Sequence, residues 1–346
     1  MVSMTDFPAL LRELTAIPGI SGHEGAIARH MADRLRAFTP DIHIDPIDNV
    51  FARFGGTSGK TVAVLAHLDT VGMMVKKINP DGTLGVVRIG GINLKAAPGT
   101  HVVVGDGERR IPGIVGVRSA HLAQPGDEAA RTDADLYIDV GGKVDGIEIT
   151  TPIHYAHNEV RLANGFYSAP YLDDRAGCAL LIALAEYLKS NPSEHSVYLI
   201  GVVQEETTAV GITHLLSVIR PHAALFVDGS VSYDTPDTRG RGETALGAGV
   251  VLSAFLYISG IGGWHAHRGL RNRLKTLSRQ LAIPFQQDAV HGLMADSRAA
   301  VPLAIPSAVL GIPMRGKHAP LETLHLDDLN AALRLLEAYI SQPEIF

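Results

Sequence analysis

Several histidines and carboxylates, far apart in the chain, have the side-chain types that bind two metal ions side by side. They are His67 with Asp69, the pair Asp173 and Asp174, the pair Glu205 and Glu206, Asp228, and His318 near the C-terminus. Most follow an apolar run such as 61–66, 197–203 or 223–227. Buried parallel strands are apolar throughout and deliver their following side chains to one edge of a sheet. The sequence therefore predicts that these residues meet in one site.

The motif of His67 and Asp69 is typical of a metal ligand with a carboxylate partner. One imidazole nitrogen can bind a metal while the carboxylate accepts a hydrogen bond from the other nitrogen and fixes the tautomer. A hydrogen-bonded core histidine beside a loop aspartate is the alternative, because buried polar groups are normally paired. The motif alone leaves both interpretations open.

The pair Asp173 and Asp174 precedes a predicted helix over 175–189. An aspartate at this point can cap free backbone N–H groups and lies at the positive end of the helix dipole. Capping needs one carboxylate, so the second has no structural explanation. A carboxylate between two cations about 3.5–4 Å apart must use both oxygens, and we assign Asp173 to this bridge.

Glu205 and Glu206 follow the apolar run 197–203 directly. Adjacent glutamates on a solvated face repel only weakly, which is the structural alternative. After a buried strand they need a positive partner, and neighbouring residues at a strand end point in different directions. We therefore assign Glu206 as a metal ligand and Glu205 as a general base that moves a proton.

Asp228 and His318 complete the predicted ligand set. Taken separately, Asp228 could bind loop amides after its strand, and His318 could be a surface histidine. Their joint occurrence with His67, Asp173 and Glu206 favours two histidines and three carboxylates at one sheet edge. This mixture of nitrogen and oxygen ligands suits zinc, cobalt or manganese better than calcium or copper.

The elements that position these residues alternate between helix and strand, with one interruption. Short strands are predicted at 42–44, 50–54 and 61–66, and the alternation resumes with a helix at 175–189 and ends with one at 326–340. Between them lies a glycine-containing β-rich stretch, with strands expected at 73–78, 84–89, 101–104, 111–117, 136–140 and 147–150. This pattern predicts an α/β catalytic domain over 1–70 and 165–346, with an inserted β-rich domain over 71–164. A capping box of Ser21 and Glu24 is expected to begin the second helix.

Composition excludes some functional classes. The formal net charge is −6 with 19% charged residues and no basic cluster, so a nucleic-acid partner is not expected. No apolar run approaches the roughly 18 residues of a membrane span, and a signal-peptide pattern is absent from the N-terminus. Cys178 is the single cysteine, which is expected to be buried and reduced. These observations favour a cytoplasmic protein.

Motifs spread over nearly the whole chain resemble one enzyme family. The order AHLDTVG, LDDRAGC, VVQEE, LFVDG and KHAPLETLHLDDL is similar to the cytosolic dinuclear-metal aminopeptidases that include the glutamyl, deblocking and tetrahedral enzymes. The resemblance implies a zinc-exopeptidase-like domain with a largely parallel mixed sheet between helices and an inserted barrel-like β-domain. It also implies removal of N-terminal residues from short peptides, and barrel-mediated dimers that assemble into a dodecamer.

The resemblance carries roles onto this chain's residues. His67, Asp173 and Asp228 match ligands of one ion or the bridge, and Glu206 and His318 complete a second ion, giving two divalent ions, zinc or cobalt first and manganese also accepted. Glu205 matches the catalytic glutamate and Asp69 the histidine-orienting aspartate. Two departures, Thr207-Thr208 after the glutamates and Met294-Ala295 before Asp296, affect the expected shape of the substrate pocket.

Other functions remain open from the sequence. The same metal centre could serve an N-acyl-amino-acid deacylase or a carboxypeptidase, and a non-catalytic assembly protein could retain the fold. A glycosidase fits poorly, because its two acids flank a sugar without metals between them. Arg239 and Arg241 could pair with an acidic substrate side chain, but arginines in a glycine-rich loop are usually solvated. The preferred N-terminal residue is left open.

Overall fold

A computed structural model describes residues 5–107, 109–122 and 132–346 of the chain. In chain order its strands are β1 (Ile42–Ile44), β2 (Val50–Phe54), β3 (Thr61–His67), β4 (Gly72–Ile78), β5 (Leu84–Ile89), β6 (His101–Val104), β7 (Ile111–Val115), β8 (Tyr137–Asp139), β9 (Pro152–Tyr155), β10 (Val160–Arg161), β11 (Phe166–Ala169), β12 (Ser196–Val202), β13 (Ala223–Val231), β14 (Val250–Ile258), β15 (Gly262–His265), β16 (Phe285–His291), β17 (Ser307–Met314) and β18 (Glu322–His325). The α-helices are α1 (Phe7–Thr15), α2 (Gly25–Arg36), α3 (Leu172–Ser190), α4 (Glu205–Thr208), α5 (Thr213–Ile219), α6 (Arg268–Gln280) and α7 (Leu326–Ile340).

A mixed sheet forms the centre of the fold. Within the described residues it has nine strands in the order β1-β2-β12-β3-β13-β17-β14-β15, with β16 paired to β14. Its middle is parallel, because β3 pairs in parallel with both β12 and β13, and β13 pairs in parallel with β17. The strands on either side, β2 and β14, are antiparallel to their neighbours β12 and β17.

Both faces of this sheet are covered, which explains why its central strands are apolar throughout. In β3, Val62, Val64 and Ala66 belong to a core shared with α1, α2, α3, α6 and α7. Ala63 and Leu65 belong to a second core, on the other face, shared with α5 and the 3-10 helix Asp296–Leu303. Alternate residues of a strand point to opposite faces, so burial on both sides leaves no polar position before the strand ends.

A separate β-barrel occupies the stretch between β3 and α3. Among the described residues it closes in the order β4-β5-β8-β7-β6-β9, around an apolar interior that includes Val75, Val86, Val104 and Ile138. The predicted strand at 147–150 is wrong, because Gly146 and Thr150 have positive φ angles and turn the chain. The closing strand begins instead at Pro152, since proline is tolerated at the first position of a strand.

Two further features differ from the sequence prediction. The small sheet β10-β11-β18 was not predicted, and it brings β18 beside the strand that leads into α3. The capping box of Ser21 and Glu24 is wrong, since the side chain of Glu24 makes no capping hydrogen bond to α2. Ser21 donates its hydroxyl to Asp69 instead.

The predicted α/β architecture with a distinct β-barrel is confirmed. Helix α7 and strand β5 have the predicted bounds, 326–340 and 84–89. Cys178 is a buried free cysteine, as expected. In the described part of the chain, no helix combines the length and apolar character needed to cross a bilayer.

Candidate metal centre

Three neighbouring parallel strands end at the same edge of the sheet and bring the predicted ligands there. At the end of β3, His67 lies level with Val202, the last residue of β12, and Glu205 and Glu206 follow shortly after. On the other side of β3, Leu65 pairs with Phe226, so Asp228 reaches the same edge two residues later. The first turn of α3 and the loop after β17 supply Asp173 and His318.

Two groups of three side chains lie close enough to hold a metal ion each. The donor atoms of His67, Asp173 and Asp228 all lie within 4.8 Å of one another, and so do those of Asp173, Glu206 and His318. His318 Nε2 is 3.2 Å from Asp173 Oδ2 and 3.3 Å from Glu206 Oε2. We call these groups the first and second triad. Asp173 belongs to both, which is the arrangement expected of a bridging carboxylate.

The neighbouring residues Asp173 and Asp174 have different partners. Asp174 accepts hydrogen bonds from the backbone N–H of Gly177 at 2.8 Å and of His67 at 3.3 Å, so it caps the helix and ties it to the end of β3. Asp173 instead turns its oxygens toward the two triads, with Oδ1 3.3 Å from His67 Nε2. One carboxylate therefore satisfies the backbone, which leaves the other for a ligand.

Two glycines beside these aspartates permit the close approach of the elements. A Cβ atom at Gly177 would lie 2.3 Å from Asp174 Oδ2, and a Cβ atom at Gly229 would lie 2.8 Å from Asp173 Oδ1. Both distances are shorter than van der Waals contact, so the sites accept no side chain without movement. The crowding of the site thus explains why Gly177 and Gly229 have no side chain.

Asp69 has more partners than the sequence indicated. His67 Nδ1 is 3.0 Å from the backbone carbonyl of Asp69 and 3.5 Å from its carboxylate. The carboxylate accepts the hydroxyl of Ser21 and the backbone N–H groups of Glu205 and Glu206, the last two at 3.0 Å. Asp69 therefore joins the end of β3 to the turn that carries both glutamates.

Glu205 belongs to neither triad and lines a cavity beside them. Gln204 has a positive φ of 60°, which turns the chain sharply between β12 and α4 and separates the glutamates from the strand. Glu205, together with Thr207 and Arg298, lines a cavity of about 550 Å³ that also borders Glu206 and His318. A carboxylate outside the ligand sets but beside the cavity can accept a proton from a group bound there.

Glu322 is a buried residue of the site that the sequence analysis missed. One oxygen accepts the backbone N–H of Asp173 at 2.9 Å and the other accepts the backbone N–H of His318. Burial, helped by the charge of Asp173, raises the pKa of Glu322 to about 8. Glu322 fixes two ligand-bearing segments at once. The sequence signal for Glu322 was its position four residues after His318, within a motif predicted to belong to the active site. This signal was missed because β18, which begins at Glu322, was not predicted.

Lys317 is a second residue that the sequence analysis did not place in the site. Its Nζ lies 2.9 Å from Asp173 Oδ2 and 3.2 Å from Asp228 Oδ1, and it donates to the carbonyl of Gly229 at 2.9 Å. The lysine precedes His318 directly in the sequence, and this adjacency was the available signal. An ammonium group therefore contacts both carboxylates of the first triad.

The pKa values of the site's side chains are shifted, because several carboxylates are buried close together. Burial, reinforced by Asp173 but opposed by Lys317, raises the pKa of Asp228 to about 6. Burial also raises the pKa of Glu205 well above its usual value, with the charges of Asp228, Asp296 and Glu206 adding to it. For His318 burial lowers the pKa, but Glu206 and Asp173 outweigh it and raise the pKa to about 11. The carboxylates thus favour a positive charge among them.

The donor set fits divalent metal ions. Histidine nitrogen and carboxylate oxygen are ligands of zinc, cobalt and manganese, and two sites sharing one carboxylate are typical of two-metal hydrolases. Among the described residues, the buried Oε1 of Glu206 has no hydrogen-bond partner. An unpaired buried carboxylate oxygen is costly unless a ligand or water satisfies it. The residues therefore agree with a metal-binding role.

Most of the residues that depart from the motifs of the resembled family lie in the wall of this cavity. Thr207 and Thr208 form part of its wall, and Met294 lies on the same surface. Asp296, which follows Met294-Ala295, is buried, and its Oδ1 has no hydrogen-bond partner in the described part of the chain. Burial raises the pKa of Asp296 well above its usual value, and the charges of Asp69 and Asp228 add to the shift. The altered residues therefore change the cavity wall and leave the triads complete.

Comparison with known proteins adds evidence about the family of this protein. The sequence matches the family described as M42 glutamyl aminopeptidase over residues 48–335. It is 32% identical over 333 residues to the putative aminopeptidase SgcX of Escherichia coli (strain K12), covering 92% of this chain and 89% of that protein.

Solved structures superpose over nearly the whole chain. The aminopeptidase APDkam598 from the archaeon Desulfurococcus kamchatkensis gives a TM-score of 0.90 at 27% identity, covering 97% of this chain and 95% of that chain. The Pyrococcus horikoshii TET1 peptidase, which can assemble into a tetrahedron or a large octahedral shell, gives a TM-score of 0.85 at 26% identity, covering 96% and 98%. The predicted zinc-exopeptidase-like fold is thereby confirmed.

Proposed function

Because the chain belongs to the M42 glutamyl aminopeptidase family, whose members are metal-dependent peptide hydrolases, we propose that it is a dinuclear-metal aminopeptidase with Glu205 as general base. The observation that carries this proposal is the sharing of Asp173 between two ligand triads, beside a cavity bordered by Glu205. Substrates are short peptides, shortened from the free N-terminus.

The chemistry divides between the ions and the protein. Divalent ions held by His67, Asp173 and Asp228 and by Asp173, Glu206 and His318 would supply an acidified water and a polarised peptide carbonyl. Glu205 accepts the proton of the attacking water and returns it to the leaving amine, since its carboxylate borders the cavity and is free of the triads. No protein side chain becomes covalently attached.

Hydrogen bonds to neighbouring residues keep the ligands and the base in place. Asp69 accepts from the backbone of Glu205 and Glu206, and its own carbonyl faces His67 Nδ1, which directs His67 Nε2 toward Asp173. Asp69 is therefore a positioning residue, as is Glu322. Such supporting hydrogen bonds set ligand orientation and basicity in metal sites.

The identity of the ions is proposed from ligand chemistry. Zinc or cobalt suits two imidazoles with three carboxylates best, and manganese is also acceptable. Purified protein should therefore bind two ions per subunit, which elemental analysis after gel filtration measures. A content near zero after incubation with each of the three metals would contradict the dinuclear proposal.

The activity test uses peptides with free and N-acetylated ends. Protein reloaded with zinc, cobalt or manganese is expected to shorten free peptides stepwise from the N-terminus and to leave acetylated ones intact. Glu205→Gln should keep both ions but lose activity by about 10²–10⁴-fold. Glu243→Gln, which alters an exposed carboxylate outside the cavity, is the matched control with unchanged activity.

Different outcomes of that test favour different functions. Cleavage of acetylated substrates alone would make the protein a deacylase on the same metal centre, and release of C-terminal residues would make it a carboxypeptidase. Absence of turnover in the metal-loaded wild type would favour a non-catalytic assembly protein. A Glu205→Gln variant as active as the wild type would remove Glu205 from the role of general base.

We also propose that the β-domain over 71–164 mediates self-association, giving dimers that assemble into a dodecamer. The support is the assembly of the Pyrococcus horikoshii TET1 peptidase and the exposed apolar side chains of this chain's β-domain, which include Ile114 and Tyr137 on barrel strands and Val117 and Leu122 after β7. Large exposed apolar patches mark protein–protein interaction sites, and these side chains would contribute to one. Replacing Ile114 and Tyr137 by lysine should lower the mass measured by light scattering, whereas Val218→Lys, an exposed change on α5, should not.

Cytoplasmic location is part of the same proposal. The unbridged Cys178 is buried, which agrees with a reducing compartment. Burial raises the pKa of this thiol to about 12, so it has no reactive thiolate at neutral pH. Fractionation of cells followed by immunodetection checks this location, and enrichment in the membrane or extracellular fraction would contradict it.

A further inference from the structure

Four residues of the barrel, 90–93, follow β5 directly and reach the second triad. We call them the barrel segment. The carbonyl of Gly91 lies 3.0 Å from His318 Nδ1, and the backbone N–H of Asn93 donates to the carbonyl of His318 at 3.1 Å. The barrel therefore contacts a predicted metal ligand through both the ring and the backbone of that ligand.

The contact with Gly91 selects one tautomer of His318. A carbonyl oxygen only accepts hydrogen bonds, so Nδ1 carries a proton and donates it. In the neutral ring Nε2 then has a free electron pair, and this atom lies 3.2 Å from Asp173 Oδ2 and 3.3 Å from Glu206 Oε2. An electron pair that faces two carboxylates needs a proton or a metal ion between them. The carbonyl of Gly91 thus leaves Nε2 as the atom that can bind an ion.

The backbone of His318 is held from two sides. Its φ angle is 65°, a conformation that residues other than glycine adopt uncommonly. The N–H of His318 donates to Glu322 at the start of β18, and the carbonyl of His318 accepts from Asn93 in the barrel. The position of the imidazole therefore depends on two separate parts of the chain, one of which is the barrel.

The barrel segment packs closely against two of the three ligands of the second triad. A Cβ atom at Gly91 would lie 2.9 Å from His318 Nδ1, and a Cβ atom at Gly90 would lie 3.3 Å from Glu206 Cβ. Real Cβ atoms are almost never as close to another heavy atom as the first distance. The segment can therefore hold the Gly91 carbonyl beside the imidazole only because it carries no side chain there.

The position of the segment is set by the barrel itself. Ile92 is 3% exposed and belongs to the apolar interior of the barrel. Asn93 Oδ1 accepts the backbone N–H of Lys95 at 3.1 Å, and the Asn93 carbonyl accepts that of Ala97 at 3.1 Å, which together fix the turn that follows. The barrel core therefore determines where the Gly91 carbonyl lies.

The two triads differ in this respect. His67 Nδ1 lies 3.0 Å from the carbonyl of Asp69, as His318 Nδ1 does from that of Gly91, but Asp69 follows directly from β3. Among the described residues, the side chains of the first triad make their hydrogen bonds and ion pairs outside the stretch between β3 and α3. The supports of the first triad therefore come from the large sheet and its connections.

Resting on the proposed dinuclear site, we propose that the barrel segment is part of the second metal position, where the carbonyl of Gly91 holds His318 with Nε2 directed at the ion. The first metal position is independent of this segment. Gly91 and Asn93 are positioning residues, because they act through His318. A displacement of the segment weakens binding of one ion and leaves the other unchanged.

The first test displaces the imidazole with one methyl group. Zinc titrations of metal-free protein, with a chromophoric chelator as competitor, give both dissociation constants. Gly91→Ala should weaken one of them by about 10–100-fold, the usual cost of losing the partner that orients a metal-binding histidine. Gly107→Ala, also in the barrel, is the matched control, because among the described residues no atom beyond its chain neighbours lies within 4 Å of the added Cβ. Neither glycine has a positive φ angle, so both backbones accept alanine.

A second variant acts on the turn without crowding the imidazole. Asn93→Ala removes the side-chain oxygen that accepts from Lys95 and leaves Gly91 unchanged. It should weaken the same ion by about two- to tenfold, as expected for the loss of one neutral hydrogen bond. If Gly91→Ala proves unfolded by circular dichroism, Asn93→Ala carries the test.

Cobalt absorption adds a readout that a loss of stability alone would not change. The visible bands of protein-bound cobalt depend on the ligands and on their geometry. In protein loaded with two cobalt ions, Gly91→Ala should alter the bands of the weakly bound ion and preserve those of the other.

Ligand variants assign the effect to one triad. In an Asp228→Asn background the second triad alone is complete, so adding Gly91→Ala should weaken zinc binding by about 10–100-fold. In a Glu206→Gln background the first triad alone is complete, so the same change should have little effect.

The outcomes separate this inference from the proposed function. A folded Gly91→Ala protein with unchanged zinc constants and cobalt bands would overturn the positioning role and leave the aminopeptidase proposal intact; the same result in Asn93→Ala does so if Gly91→Ala is unfolded. Equal weakening in the Glu206→Gln background or in Gly107→Ala would also overturn it. Selective weakening in a protein that cleaves no peptide would support the positioning role and contradict the proposed function. Binding of no metal by wild type or any variant would overturn both.

Discussion

The carboxyl edge of the large sheet and the interior of the barrel are built on opposite principles. The sheet edge buries charged groups, among them His67, Asp69, Asp173 and Asp228, whereas the barrel interior consists of apolar side chains such as Val86 and Ile138. Buried charges weaken a fold unless they are paired, and buried apolar area stabilises it. The sheet edge is therefore arranged for chemistry at a cost to stability, and the barrel for stability and an outer surface.

Both regions nevertheless depend on glycines that leave room for a close neighbour. At the sheet edge, Gly177 and Gly229 leave room for carboxylates. In the barrel, a Cβ atom at Gly116 would lie 2.0 Å from the ring of Tyr137, and one at Gly82 would lie 2.1 Å from the backbone of Gly142. The same residue type therefore serves ligand geometry in one region and chain packing in the other.

The largest expected effect tests whether chemistry is confined to the sheet edge. Asp173→Asn should lower metal content and reduce kcat/KM by about 10³-fold or more, because the shared ligand of both triads loses its charge. Asp145→Asn, at an exposed barrel carboxylate, should leave both unchanged. Elemental analysis and peptide hydrolysis measure the two quantities. An Asp173→Asn protein that keeps two ions would contradict the role of Asp173 as the ligand shared by both triads.

The next effect tests the barrel as a source of stability. Ile138→Ala should lower the free energy of unfolding by about 2–5 kcal/mol, because Ile138 is 0% exposed inside the barrel and its truncation leaves a cavity. Ile78→Ala, at an exposed position of β4, should change it by less than about 0.5 kcal/mol. Urea unfolding followed by circular dichroism measures both. Activity of the folded Ile138→Ala protein should equal that of the wild type; a large loss would mean that the barrel interior contributes to catalysis.

A smaller effect concerns the acid sensitivity of the barrel. Burial, with the nearby charge of Arg110 adding to it, lowers the pKa of His154 from 6.5 to about 4. The unfolded chain therefore binds a proton that the folded chain does not between those pH values. The contribution of the neutral His154 to the free energy of unfolding is complete above about pH 6.5. It decreases as the pH drops toward 4, by roughly 3 kcal/mol at most.

The matching experiment compares unfolding free energies at pH 7 and pH 4.5. His154→Gln should lose less stability on acidification than the wild type does, whereas His101→Gln, at an exposed barrel histidine, should behave like the wild type. Equal acid sensitivity of the wild type and His154→Gln would contradict the role of His154.

The smallest expected effect tests the support of the sheet edge. Ser21→Ala removes the hydroxyl that Asp69 accepts, while Asp69 keeps the backbone N–H groups of Glu205 and Glu206. The loss of one hydrogen bond to a charged group should cost about 1.5–3 kcal/mol in stability or in kcat/KM. Ser58→Ala, whose hydroxyl faces His195 away from the site, is the control for kcat/KM. A Ser21→Ala protein with unchanged unfolding and kinetics would show that Asp69 needs only its backbone partners.

Local sequence patterns predicted much of the fold. The apolar runs 61–66 and 223–227 became central strands because both faces of the sheet are covered, and the helical spacing of 326–340 became α7 with the same bounds. The strand predicted at 147–150 failed because alternating β-branched residues also occur in turns, where positive φ angles at Gly146 and Thr150 decide the path. The partner of β18 lies about 150 residues earlier in the chain, which no local pattern reveals.

Residue types and their spacing determined which side chains of this protein could bind metal and move protons, because chemistry depends on functional groups and strand ends share an edge. Tertiary structure alone decided which atoms meet: that Asp173 joins two triads while Asp174 caps a helix, that Ser21 binds Asp69, and that Glu322 and Lys317 enter the site. The physical reason is that hydrogen bonds and ion pairs act over about 3 Å, a distance set by the packing of remote elements.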